Sequence, residues 1–264
     1  MKKDTLTTIK WVSAFVALAI ILGCGGGGGG TSSSGSTSGG FGNGTPAPGQ
    51  YLEFFRGFTR VDPLNLSVGD SISVQFVNYD VVGRRTVITG AAWSLTNANG
   101  HATINSVGGL SVTSDPQGYV TVTGVANVSG QSKTLNQDIY VSPSTGTHVK
   151  GKILANNSNV PVAGIQVEFV DNGNNLVGAA LTDSNGNFDG TVGNGANRIK
   201  LKPSSVPVAY FAAIKYQGSN YAVTGNACLL SLPTLIPGGT VSFPSNILLP
   251  RQQDGPPPPP TSCP

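Results

Sequence analysis

Between residues 71 and 76 the chain alternates strictly, with Ile72, Val74 and Phe76 apolar and Ser71, Ser73 and Gln75 polar. A period of two puts the apolar set on one face of an extended strand, and a helix cannot use it. The same alternation returns at 119–123, 164–169 and 198–202. Turn signals separate the runs: Val68-Gly69-Asp70, Asn99-Gly100, Gly108-Gly109, Asp115-Pro116-Gln117-Gly118 and Asn185-Gly186. Composition removes the main alternative. The chain holds 37 Gly and 18 Pro, and after residue 23 its only Glu are Glu53 and Glu168, with no Met. Helix formers other than Ala and Leu are too scarce for a bundle, or for the crossover helices of a parallel sheet. The 38% of hydrophobic residues still suffices for packed cores. The expected fold class is all-β, two tandem antiparallel β-sandwiches at 51–145 and 146–250.

The N-terminus reads as an address. Lys2, Lys3 and Lys10 precede an apolar run at 11–22 that only Ser13 interrupts. Twelve residues of helix reach about 18 Å, short of the ~30 Å hydrocarbon core, so 1–23 is a signal peptide rather than a permanent span. The run ends in Ile21-Leu22-Gly23-Cys24, which resembles the lipobox of bacterial lipoproteins. That resemblance implies cleavage before Cys24 and acyl chains on its sulfur. Two or three chains, at ~0.8 kcal/mol per buried CH₂, anchor a protein stably where one does not. The alternative is an ordinary signal peptide with an incidental Cys. Residues 24–50 continue as an almost pure Gly/Ser/Thr stretch after the Cys, opening with six consecutive Gly. This is a disordered tether, with a coil span of about 30 Å. It lacks the Lys-Ser/Thr that would make it a phosphate-cradling loop.

Removing the leader also removes most of the charge. The formal +3 of the whole chain falls to +1, because 12 basic and 11 acidic residues follow residue 23. No nucleic-acid partner is expected from such a balance. With Cys24 acylated, Cys228 and Cys263 form an even pair that a disulfide would close in an oxidising compartment. The other reading is one buried thiol and one free thiol in the tail. The tail itself, 251–264, is expected to be disordered or polyproline II around its five consecutive Pro at 256–260.

Two family resemblances refine the modules. Leu66-Ser67-Val68-Gly69-Asp70, Ala92-Trp93-Ser94, Ala102-Thr103-Ile104, Gly108-Gly109-Leu110 and Gly118-Tyr119-Val120-Thr121-Val122-Thr123 resemble the bacterial immunoglobulin-like domains of invasin- and intimin-type proteins. The resemblance implies an Ig-like sandwich with Trp93 in its core, and it departs at 80–90, where Arg84-Arg85 lie in a long loop of unassigned pairing. Val149-Lys150-Gly151-Lys152-Ile153, Pro161-Val162-Ala163-Gly164-Ile165-Gln166-Val167 and Thr182-Asp183-Ser184-Asn185-Gly186-Asn187-Phe188 resemble the carboxypeptidase regulatory-like family. This implies a transthyretin-like sandwich without peptidase activity; from 203 to 250 the resemblance fades, and strand-like stretches at 209–216 and 240–243 are expected to finish the same sandwich.

Candidate chemistry is thin. A zinc peptidase needs His and Glu ligands at short spacing, and neither His101 nor His148 lies in such a pattern. No G-x-S-x-G elbow occurs, and neither His is expected to have a credible neighbouring carboxylate. Asp183-Ser184-Asn185-Gly186-Asn187 departs from calcium-loop spacing and reads as a hairpin turn. Arg198, Lys200 and Lys202 form a basic stripe on one strand face, either a contact for an anionic glycan or headgroup, or a solvated and protected edge. Tyr210, Tyr216 and Tyr221 are the aromatics available for sugar stacking, although Tyr210 and Tyr216 alternate like core residues. No catalytic, metal or cofactor site is expected. The sequence points to a lipid-anchored protein of the bacterial cell envelope, facing the periplasm or the exterior, with a structural or adhesion role. Its partners are membrane lipid through acylated Cys24 and a polysaccharide or envelope protein. The alternatives are a polysaccharide-binding accessory lipoprotein and, third, an unrecognised hydrolase.

Overall fold

The computed structural model describes residues 48–202, 209–225 and 227–256. The expectations for the signal peptide, Cys24, the tether up to residue 47 and the tail from 257, Cys263 included, lie outside these residues. Among the described residues every regular element is a strand, apart from a 3-10 turn at Gln252–Asp254. The all-β class is what the structure shows.

The first sandwich contains β1 (Gly49–Arg56), β2 (Thr59–Arg60), β3 (Ser71–Tyr79), β4 (Arg85–Val87), β5 (Ala92–Thr96), β6 (Ala102–Ile104), β7 (Gly109–Val112), β8 (Tyr119–Val128) and β9 (Gln131–Tyr140). One sheet runs β2-β1-β3-β7-β6 with β4 also on β3, and the other runs β5-β8-β9. Their inner faces supply Leu52, Phe54, Ile72, Val74 and Phe76 on one side and Val120, Val122, Leu135 and Ile139 on the other. These are the alternating positions of the sequence, as the pleat requires. Trp93 is half-buried and packs over Gly124, where an added Cβ would lie 2.8 Å from its ring and 3.1 Å from Leu52. The 80–90 segment is a hairpin. Asp80 Oδ1 accepts the N–H groups of Val82 (3.0 Å) and Arg84 (2.8 Å), which sets β4 antiparallel to β3 with Arg85 opposite Tyr79.

The second sandwich contains β10 (Thr147–Ala155), β11 (Gln166–Val170), β12 (Leu176–Leu181), β13 (Asn187–Val192), β14 (Arg198–Lys202), β15 (Ala213–Tyr216), β16 (Ser219–Ala222), β17 (Leu230–Ser231), β18 (Thr240–Ser242) and β19 (Ile247–Leu249). One sheet runs β12-β11-β14-β17 and the other β13-β10-β19-β15-β16, with β18 also on β10. Most pairings are antiparallel as expected, but β18 and β19 both lie parallel to β10. The long excursion between them, which passes through both sheets, serves as the crossover, so no helix is needed. Phe169, Phe188, Phe243 and Tyr216 run through the core with successive ring centroids 6.2, 6.1 and 5.7 Å apart. The start of the tail is ordered, since Arg251 bridges to Tyr210 and pairs with Asp254 at 2.7 Å.

The sandwiches are docked on each other. Leu64 and Tyr140 of the first and Ala179 and Leu181 of the second form a third buried cluster, flanked by Tyr119 and Leu176. Burial of a Leu contributes roughly 1.5–3 kcal/mol, so Leu64 and Leu181 alone outweigh a typical surface contact.

Candidate functional site

Buried polar groups from both sandwiches meet at this joint. Pro63 follows Asp62 in the segment leaving β2, and its carbonyl accepts the Tyr140 N–H at 3.0 Å. Asp62 is buried, and its two carboxylate oxygens accept the N–H groups of Leu64 and Leu181, each at 2.8 Å. Burial pushes its pKa up to about 7; the N–H groups of Leu181 and Leu64 oppose the shift, and Asp189 adds to it.

A second network completes the joint. Glu168, on β11, accepts the hydroxyl of Tyr119 at 2.9 Å and pairs with Lys202 at 2.7 Å. Lys202 Nζ also sits 4.5 Å from the centre of the Tyr119 ring, so one ammonium meets a carboxylate and a π-face together. Burial and Glu168 push the Tyr119 hydroxyl well above its ordinary pKa, which keeps it protonated as a donor. Asn65 bridges as well, donating to the Asp189 carbonyl at 3.1 Å while its Oδ1 accepts the Ser142 hydroxyl at 2.6 Å.

These contacts account for part of the basic stripe. Lys202 belongs to the joint, and Arg198 donates to the carbonyls of Asp171 (2.8 Å) and Asn172 (3.1 Å), holding a turn. Lys200, opposite Glu168 on the neighbouring strand, lies between them. The three tyrosines stand with the second core: Tyr216 is buried, while Tyr210 and Tyr221 pack partly buried against it. Among the described residues the large aromatic that is fully exposed is instead Phe58, at the β1–β2 turn, which no alternation marks. Cys228 is disulfide-bonded, and Cys263 lies outside the described residues.

One expectation needs correction. His148 does have a carboxylate neighbour, for its Nδ1 lies 3.0 Å from Asp189 Oδ1. The two face each other because β10 and β13 pair antiparallel, a juxtaposition that residues 41 apart cannot announce in sequence. Lys150 shares the same carboxylate at 3.2 Å. The His101 ring has its Nδ1 2.7 Å from the Ser114 hydroxyl. Among the described residues no three metal-ligating side chains cluster. Nor is any helix long and apolar enough to cross a membrane.

A polar cleft of about 540 Å³ opens beside the joint, lined by Arg56, Asn65, Ser67, Ser142, His148 and Thr191 among others. Arg56 is forked onto Asp70, with Nε to Oδ1 at 3.0 Å. Hydroxyls, an imidazole and a paired guanidinium give hydrogen-bonding capacity without a strong net charge.

No protein-family model matches the chain, and no curated protein matches it. Among solved structures, it is similar to the T6 backbone pilin of Streptococcus pyogenes, at 10% identity over 77% of this chain and 70% of that one, with a TM-score of 0.25. It is also similar to BcpA, the major pilin subunit of Bacillus cereus, at 11% identity over 77% and 71%, with a TM-score of 0.24. At such scores the likeness carries no argument about this chain.

Proposed function

We propose that this chain is a lipid-anchored envelope protein with a structural or adhesion role, presenting two β-sandwiches as one stiff unit and carrying out no reaction of its own. The observation that carries the reading is the joint. Tandem domains that only needed to be strung together would require a linker, whereas here a buried apolar cluster, Asp62 and the Glu168–Lys202–Tyr119 network fix their angle. Rigid presentation suits a protein that must hold a surface at a set distance from a membrane. The Gly-rich stretch after Cys24 supplies reach, and the Cys228–Cys263 pair would tie the tail to the second sandwich. Labelling with a fatty-acid analogue tests the anchor: the wild-type chain takes up label and fractionates with membranes, and Cys24→Ala loses both. An unchanged distribution in the variant refutes it.

A second reading, polysaccharide binding, is favoured by one feature. Phe58 is fully exposed two residues along the chain from Arg56, which lines the polar cleft, and sugar rings stack on such a face. A glycan array probed with the full chain and with Phe58→Ala separates the readings. Saturable binding to one polymer that the variant loses would favour the second.

A further inference from the structure

β1 begins at Gly49, opposite Tyr79 on β3. Arg56, at its other end, lines the cleft by the joint, so Gly49 marks the end of the first sandwich away from the second. At that same end β3 turns into β4 through residues 80–84. The turn is built firmly, since Asp80 Oδ1 takes the N–H groups of Val82 and Arg84 and the Asp80 carbonyl takes that of Gly83 at 3.0 Å. Yet what it displays is apolar: Val81 is 87% exposed, Val82 74% and Val87, just beyond on β4, 42%. An ordered turn holding two neighbouring valines in water gains nothing for the fold. Beside them Arg84 is exposed, and no hydrogen bond or ion pair among the described residues engages its guanidinium. Arg85 is already committed to Glu53 at 2.7 Å and to Gln75.

We propose that this valine-tipped turn is the surface by which the protein rests on its own bilayer, Val81 and Val82 entering the headgroup region and Arg84 meeting lipid phosphates. The inference rests on the proposed anchor at Cys24. The chain outside the structure ends where the turn lies, and the 23 residues between Cys24 and Pro48 are the tether. A Gly-rich coil of that length has an r.m.s. span of about 27 Å, which holds the tip at roughly millimolar effective concentration over the membrane. A two-valine contact is too weak to recruit a free protein, but it is occupied when the protein is already tethered. The contact would give the anchored sandwiches a preferred tilt, with the second sandwich directed outward.

The test is amide hydrogen exchange over residues 81–87, in the full mature chain reconstituted into phosphatidylethanolamine/phosphatidylglycerol vesicles and in the same chain without vesicles. Exchange is expected to slow roughly tenfold on vesicles, and to return to the vesicle-free rate in the Val81→Asp/Val82→Asp chain, with Arg84→Glu intermediate. A chain that floats with vesicles while 81–87 exchange at the vesicle-free rate overturns the contact and leaves the anchor standing. Slow exchange without vesicles that the double variant abolishes overturns it too, because the valines are then covered by protein. If the chain bears no acyl group and does not float, the anchor fails. The unacylated chain at millimolar lipid then decides the tip alone: slowing supports the contact, and no slowing overturns it.

Discussion

Asp62 makes the joint sensitive to pH, and the sign follows from its burial. Its pKa in the folded protein is about 7, against an ordinary 3.8, because burial disfavours the charged form more than the Leu64 and Leu181 N–H groups favour it. The folded chain therefore binds a proton more tightly than the unfolded one, and the stability that this proton supplies is complete below about pH 4 and lost as the pH rises through about 7. Each pKa unit corresponds to ~1.4 kcal/mol, so the whole swing amounts to about 4 kcal/mol, with no discount for solvent because the carboxyl is fully buried. Asp62→Asn removes the titration. It also turns one acceptor into an NH₂ aimed at a backbone N–H, which costs roughly 1–3 kcal/mol at every pH. The assay is urea denaturation of both chains from about pH 4 to pH 8, with amide exchange at Leu64 and Leu181 as the local readout. The acids remote from Asp62 titrate alike in the two chains and cancel, while Asp189, whose charge adds to the upward shift, acts in the same direction. The wild-type advantage should shrink by several kcal/mol as the pH rises. Parallel pH profiles would refute the reasoning.

Further outcomes follow from other contacts. Gly124→Ala drives a methyl group into the Trp93 ring and Leu52, and should destabilise the first sandwich by roughly 1–3 kcal/mol, read by Trp93 fluorescence during unfolding. Glu53 is buried with Arg60 at 3.0 Å, Arg85 at 2.7 Å and the Tyr79 hydroxyl at 2.9 Å; Glu53→Gln should cost about 3–5 kcal/mol in a melt, more than any exposed charge substitution. Lys202→Met strips Glu168 of its cation and Tyr119 of its π-partner. Calorimetry should then resolve two transitions where the wild-type chain shows one, and a single unshifted transition would count against the joint as the coupling element.

Much of the fold was legible because a pleated strand writes its buried face into the sequence at every second residue. Ile72, Val74 and Phe76, then Val167 and Phe169, then Ile199 and Leu201 all became core. The Asn185-Gly186 turn was legible for a related reason: Gly186 has φ +76°, and Asp183 Oδ1 caps the loop by accepting the N–H groups of Asn185 and Asn187. The joint was not legible. Asp62 looks like any loop acid until its partner N–H, on Leu181, is brought to it from the other sandwich. The partners of the basic stripe were hidden for the mirror-image reason, since alternation marks an outer face but cannot say that Glu168 and Tyr119 meet Lys202 there. Glu53 was hidden on the outward side of β1, where Arg60 and Arg85 bury it. The parallel closure escaped because β18 and β19 have three residues each, too few to show a period.

That closure has a consequence for how the chain is made. Strand β10 receives two of its neighbours only from segments about ninety residues downstream, so its sheet stays incomplete until those segments arrive. Contacts this distant along the chain form late, after the entropy of a long loop has been spent. Under the envelope location proposed above, the chain would cross the membrane before it folds, and a sheet that waits for such distant strands would not mature ahead of transport.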